Sequence, residues 1–151
     1  MKKFKFRLQK VMEFKEEIER QRMLDLGKAK KRVSAEDRKL EQLWQKDGEY
    51  RKQIEEKEKE YIINPVEMDL YYRYLKKLGI DMESQKERIQ AAKSKMEATR
   101  QILLAATKER KILEKLKEKK YFAYATGIAR KEQFNLDDLV NTAFIRRRLN
   151  Q

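Results

Sequence analysis

The residues of this chain that carry chemistry are suited to binding and not to bond-making. There is no cysteine and no histidine, which excludes disulfides, thiolate or imidazole metal sites, and nucleophiles activated by histidine. The chain has 26 Asp and Glu against 39 Lys and Arg. The two signs are interleaved as on a solvated helix face, where a carboxylate pairs with a cation one turn away instead of acting as a general acid or base. The sequence therefore reads as a non-enzyme that needs no cofactor and no metal.

What is distinctive is where the cations lie. Residues 1–32 carry a net +7, residues 33–107 are neutral, and residues 108–151 carry +6. Lys2, Lys3, Lys5 and Arg7 open the chain, and Lys119 and Lys120 close a basic run late in it. Such a distribution points to an acidic partner at the two basic segments and a different partner for the neutral middle. Nucleic acid is one acidic partner, but no helix-turn-helix, zinc finger or base-stacking pattern accompanies the charge, so no specific nucleic acid is expected.

The elements that position these groups follow from periodicity. Leu75, Met82, Ile89, Met96 and Leu103 recur every seven residues, and Leu78, Gln85, Ala92, Thr99, Ala106 and Leu113 form a second row offset by three. This is the seam of a coiled coil. Val33, Leu40, Ile54 and Tyr61, with Leu43 and Tyr50, supply a matching seam upstream, weakened at Asp47 beside Gly48. Phe4, Leu8, Val11 and Ile18 begin a stripe that Met12, Phe14, Met23, Leu24 and Leu26 broaden. Joining that stripe to Val33 requires a phase shift near residues 27–33. With 43% of residues charged, only 4 Gly and 1 Pro, the chain is made for long helices and a narrow seam.

The break falls at Ile62-Ile63-Asn64-Pro65-Val66-Glu67. Proline suits the first helical position, Asn64 can cap it, and Glu67 stands where a capping-box acid belongs. The expected fold is all-α: a long antiparallel two-helix coiled-coil hairpin with a C-terminal helical overhang. The hairpin spans residues 1–124, with arms 4–62 and 65–124, a bend at 62–65, and each arm on the order of 90 Å at 1.5 Å per residue. Folding there sets Val33 near Lys95 and Phe4 opposite the region of Phe122. The amphipathic tail, residues 125–151, is interrupted at Gly127. It continues as a short helix capped by Asn135, whose apolar stripe (Phe134, Leu136, Leu139, Val140, Ala143, Phe144) either folds back or awaits a partner. Arg146, Arg147 and Arg148 suit its last turn. The opening residues lack the apolar run of a signal peptide and no window reaches a membrane span, so a cytoplasmic protein is expected.

Phe4-Lys5-Phe6-Arg7-Leu8-Gln9-Lys10-Val11 resembles the opening of the FliJ family, coiled-coil components of the bacterial flagellar export apparatus. Glu49-Tyr50-Arg51, the run 114–120, Lys131-Glu132-Gln133 and Leu136-Asp137-Asp138-Leu139 extend the likeness over the full length, with Asp138 where the family usually has Glu. The resemblance implies a stalk similar to the central stalk of F-type ATPases. It would bind the hexameric export ATPase by its terminal end, contact the cytoplasmic domain of the transmembrane export gate, and escort export chaperones, peripheral to the inner membrane through those partners. The ATPase-binding end then comprises Lys2, Lys3, Phe4, Lys5, Arg7, Leu8, Lys119 and Lys120. The family's gate-binding patch falls on Leu43, Tyr50, Tyr74 and Leu78. Three of these (Leu43, Tyr50 and Leu78) also lie in the seam, and Tyr74 lies off it, so Tyr71, Tyr72 and Tyr74 are not all expected to be buried. A virulence-type secretion stalk and a basic nucleic-acid-binding coiled coil are the alternative readings.

Overall fold

The computed structural model describes residues 3–59 and 64–149, and the side chains of these as far as residue 146. It contains two helices, α1 (Gln9–Glu58) and α2 (Pro65–Leu149), packed against each other as a helical hairpin. The chain divides into two compact units. One, the terminal unit, joins residues 1–19 to residues 106–151; the other, the bend unit, comprises residues 20–105.

In the bend unit, the heptad rows of the sequence become the core. Val33 and Ile54 from α1 and Leu78, Ile89 and Ala92 from α2 are buried, and Leu75, Met82, Met96 and Leu103 are half-buried beside them. Polar groups are built into the same seam. Gln85 is buried at 5% exposure and its Nε2 donates to the Glu36 backbone carbonyl (3.0 Å) and carboxylate (2.7 Å). Asp47 accepts from Arg51 one turn on, at 2.6 Å, which explains how the weak point beside Gly48 is tolerated.

The bend itself follows from capping chemistry. Asn64 Oδ1 accepts from the Val66 N–H (3.1 Å) and lies 3.5 Å from the Glu67 nitrogen, and Pro65 is the first residue of α2. The Glu67 carboxylate reaches the Lys57 ammonium on the other arm at 3.3 Å. Tyr61, Ile62 and Ile63, assigned above to the seam and the break, lie outside the described residues.

In the terminal unit, Met12 and Ala106 are buried and Ile18, Leu113 and Leu116 half-buried. Glu19 faces α2, accepting from Thr107 Oγ1 (2.7 Å) and Arg110 Nε (2.5 Å), and Lys15 meets Glu109 at 2.6 Å.

Several expectations are corrected. The first arm is helical from Gln9 and not from Phe4. Residues 3–6 are non-helical and lead through a turn at 7–8 in which the Gln9 N–H donates to the Phe6 carbonyl. Their alternation of apolar and basic residues has period two, which a helix cannot sort onto one face. No phase shift is needed in α1. Met12, Glu19, Leu26, Val33, Leu40, Asp47 and Ile54 are all buried or half-buried at a seven-residue spacing. One register holds because Glu19 and Asp47 occupy seam positions that carry no apolar residue. Leu8, Val11, Phe14, Met23 and Leu24 are exposed.

Gly127 does not interrupt the second arm. α2 runs through it and through Asn135 to Leu149, so there is no separate capped helix at the end. Helix propagation adds a hydrogen bond for each residue fixed, and one glycine costs only about 1 kcal/mol, too little to stop it. The tail does not fold back either: every residue from 131 to 146 is exposed.

Candidate functional site

The terminal unit carries the clearest built surface. Residues 3–7 alternate outward and inward: Lys3, Lys5 and Arg7 are exposed, whereas Phe4 and Phe6 are half-buried. On α2, Leu116, Lys120 and Tyr124 recur every fourth residue and so share one face. The Phe4 ring lies edge-on to Tyr121 (centroids 5.4 Å apart, planes at 81°) and tilted against Tyr124 (5.5 Å). This places Phe4 in the region of Phe122, as the hairpin reading expects, and the contacts with Tyr121 and Tyr124 pin an otherwise irregular segment to the helix.

The outcome is a groove of about 610 Å³ between the N-terminal segment and α2. Its floor is Phe4, Phe6, Leu8, Leu116 and Tyr124; its rim is Lys3, Lys5, Arg7 and Lys120, with no carboxylate among the lining residues. Such a surface accepts a segment that is both apolar and anionic. Of the residues assigned to the ATPase-binding end, Lys3, Phe4, Lys5, Arg7, Leu8 and Lys120 come together here. Lys119 is exposed but outside the lining, and Lys2 lies outside the described residues.

The bend unit gathers aromatics. Tyr50 of α1 stacks on Tyr74 (centroids 4.2 Å) and approaches Tyr71 (5.9 Å), and these three with Gln53, Glu67 and Leu70 line a groove of about 350 Å³. Tyr74, expected off the seam, is thus half-buried at its edge. Tyr71 continues the Leu78 row by one heptad. Tyr72 points away, is 52% exposed, and donates its hydroxyl to Glu58 at 2.8 Å. That hydrogen bond holds the phenol above its ordinary pKa, since losing the proton would set a phenolate beside a carboxylate.

The remaining gate-side residues divide by burial. Leu43 is half-buried in the seam, and Leu78 is 2% exposed, so its methyl groups serve the core and are not accessible to a partner. Sequence reading missed Trp44, 52% exposed, along with Val66 and Leu70 near the bend. Trp44 was discoverable: it directly follows Leu43 and so falls outside both heptad rows, where a large apolar side chain has no core to enter.

Among the described residues, no cluster of His, Cys, Asp or Glu could hold a metal ion, and no helix is long and apolar enough to cross a membrane. A family model described as flagellar FliJ protein matches residues 4–149. Neither the curated proteins nor the solved structures contain a match to the chain.

Proposed function

The chain belongs to the FliJ family, non-enzymatic stalk-like components of the flagellar export apparatus, and on that premise we propose that it couples the export ATPase to the export gate. In this reading the terminal unit docks in the hexameric ATPase ring, and the bend unit meets the cytoplasmic domain of the gate protein. The protein works in the cytoplasm, at the inner membrane through those partners, and escorts export chaperones. Within the terminal unit, tail residues 125–151 form a functional region of their own.

The observation that carries this reading is the groove of residues 3–8 against Leu116, Lys120 and Tyr124. It combines an apolar floor with an acid-free cationic rim, as docking against acidic groups of a ring channel requires. On the gate side, the reading rests on Tyr72, with Tyr50, Tyr71 and Tyr74 shaping the adjacent groove and Leu43 and Leu78 supporting them from the seam. Aromatic side chains that are accessible yet held by neighbours are the usual anchors of protein interfaces.

The test adds the purified chain to the cognate export ATPase and follows ring assembly and ATP turnover. Stimulation should disappear on combined reversal of Lys3, Lys5 and Arg7 to Glu, while binding to the gate domain persists. Equal loss of both activities would sink the assignment of separate partners to the two units. No stimulation, with salt-sensitive DNA binding in its place, would favour the nucleic-acid reading.

A further inference from the structure

The fold brings Arg22, Lys28 and Arg32, from the basic first segment, to the same face as Arg88 and Lys95 of the neutral middle. On one side of the helix pair in the bend unit, Arg22, Lys28 and Arg32 of α1 and Lys95 of α2 border a groove of about 420 Å³ floored by Ala29 and Ala92. An adjoining groove of about 430 Å³ shares Arg32, Ala92 and Lys95 and adds Arg88 and Ala91. The sequence reason is helical spacing: on each arm the basic residues recur four to seven apart, with Ala29 between Lys28 and Arg32 and Ala91 and Ala92 between Arg88 and Lys95. The other side of the same stretch is lined by a mixed set that includes Gln90, Lys93, Glu97 and Gln101.

Two acids lie on the basic side, and both are engaged. Asp25 faces Arg22 at 3.4 Å; Glu36 accepts from Gln85 and lies 3.0 Å from Lys39. The charge of Arg32, one turn from Glu36, also acts on that carboxylate, whereas among the described residues no carboxylate is ion-paired with Lys28, Arg88 or Lys95. The floor is small and apolar, and Ile102 at its edge is 51% exposed.

We infer that this basic groove of the bend unit seats an acidic amphipathic α-helix from a partner protein, as a third helix beside α1 and α2. The alanine floor lets another helix approach closely, and Ile102 offers it an apolar contact. The cationic rims complement glutamates flanking an apolar stripe. The groove runs from Arg22 to Glu36 along α1, roughly 21 Å or four turns of a docked helix at 1.5 Å per residue. A nucleic-acid backbone would use the cations but not the floor, because phosphates gain nothing from alanine and isoleucine. The inference stands on this groove alone and does not depend on the function proposed for the terminal unit.

The probe is a fluorescent peptide of about four helical turns, Ala and Leu on one face and Glu on the others. It is titrated onto the full chain by anisotropy, beside a scrambled peptide of the same composition and a DNA duplex. Arg32→Glu with Lys95→Glu should weaken binding by about tenfold or more. Ile102→Gln should weaken it by about threefold to tenfold. Lys3→Glu with Lys5→Glu, which blocks the terminal groove as a second seat for the peptide, should weaken it far less than the groove reversals. The milder pair Arg32→Gln and Lys95→Gln, checked by helical circular dichroism, guards against misfolding and should give an intermediate loss. The proposal fails if the scrambled peptide binds equally well, or if the terminal reversals weaken binding as much as the groove reversals. It also fails if DNA displaces the peptide while Ile102→Gln has no effect.

Discussion

The side-chain amide of Gln85 donates from one nitrogen to both the carboxylate and the backbone carbonyl of Glu36, at 2.7 Å and 3.0 Å. The seam thereby acquires, between the two arms of the bend unit, a contact that only one alignment of the arms can satisfy. Sliding either helix by a turn would bury the amide unpaired, at a cost of about 1–3 kcal/mol. The pair contributes specificity more than stability, as single polar residues in coiled-coil seams do.

Gln85→Leu is accordingly expected to leave the melting temperature unchanged or raise it, while relaxing the alignment of the arms. Amide resonances of the bend unit should then appear in more than one set. A sharp fall in melting temperature with a single set of resonances would show that the pair stabilises the seam instead of selecting its register.

Glu19 supplies a pH dependence. The Thr107 hydroxyl, and after it the Arg110 guanidinium, hold its carboxyl below the ordinary value of 4.5, against the opposing effect of burial. A depressed folded-state pKa contributes stability above the unfolded value that is lost as pH falls through the folded one. Glu19→Gln should therefore cost about 1 kcal/mol at neutral pH. The gap between variant and parent should close on acidification below the ordinary carboxylate range, and denaturant melts across that range check it.

Gly127 sits inside α2 with nothing within 4 Å of where a Cβ would project, and its φ is not positive. Gly127→Ala should stabilise the end of α2 by about 0.5–1 kcal/mol, read as increased far-ultraviolet ellipticity and slower amide exchange there. Loss of helicity on that substitution would mean that the chain breaks at Gly127 in solution.

Phe4 anchors the N-terminal segment through Tyr121 and Tyr124. Phe4→Ala should free that segment at a cost of about 1–3 kcal/mol. Trypsin should then cut after Lys5 and Arg7 much faster than in the parent. Unchanged cleavage would show that Phe6 and Leu8 hold the groove without it.

Leu78 and Tyr72 separate core from contact surface. Leu78→Ala should cost about 2–5 kcal/mol of stability, whereas Tyr72→Ala should change stability by less than about 1 kcal/mol yet weaken binding to the gate domain. The reverse pattern in paired melting and pull-down measurements would exchange their roles.

Much of this was open to reading in the residues themselves. The rows through Leu75 and Leu78, the Asn64-Pro65 cap, and the meeting of Phe4 with the Phe122 region all depend on spacing and backbone geometry that hold in any context. Two features depart from what apolar spacing alone implies, for different reasons. The alternating Phe-Lys-Phe-Arg segment is not helical because its period of two cannot be sorted onto one helix face. The seam holds Glu19 because Thr107 and Arg110, distant in the chain, receive its carboxylate, and Asp47 because Arg51 does so one turn away.

Heptad spacing and a single proline determined by themselves that this is a helical hairpin, because helix period and capping chemistry are properties of the local chain. The tertiary structure alone decided which polar residues enter the seam, and that Leu78 is core while Tyr72 is surface. It also decided that cations of the basic first segment and of the neutral middle collect along one groove. Those outcomes depend on which residues of α1 and α2 face each other, and the pairing is set by the combined burial and hydrogen bonding of both arms.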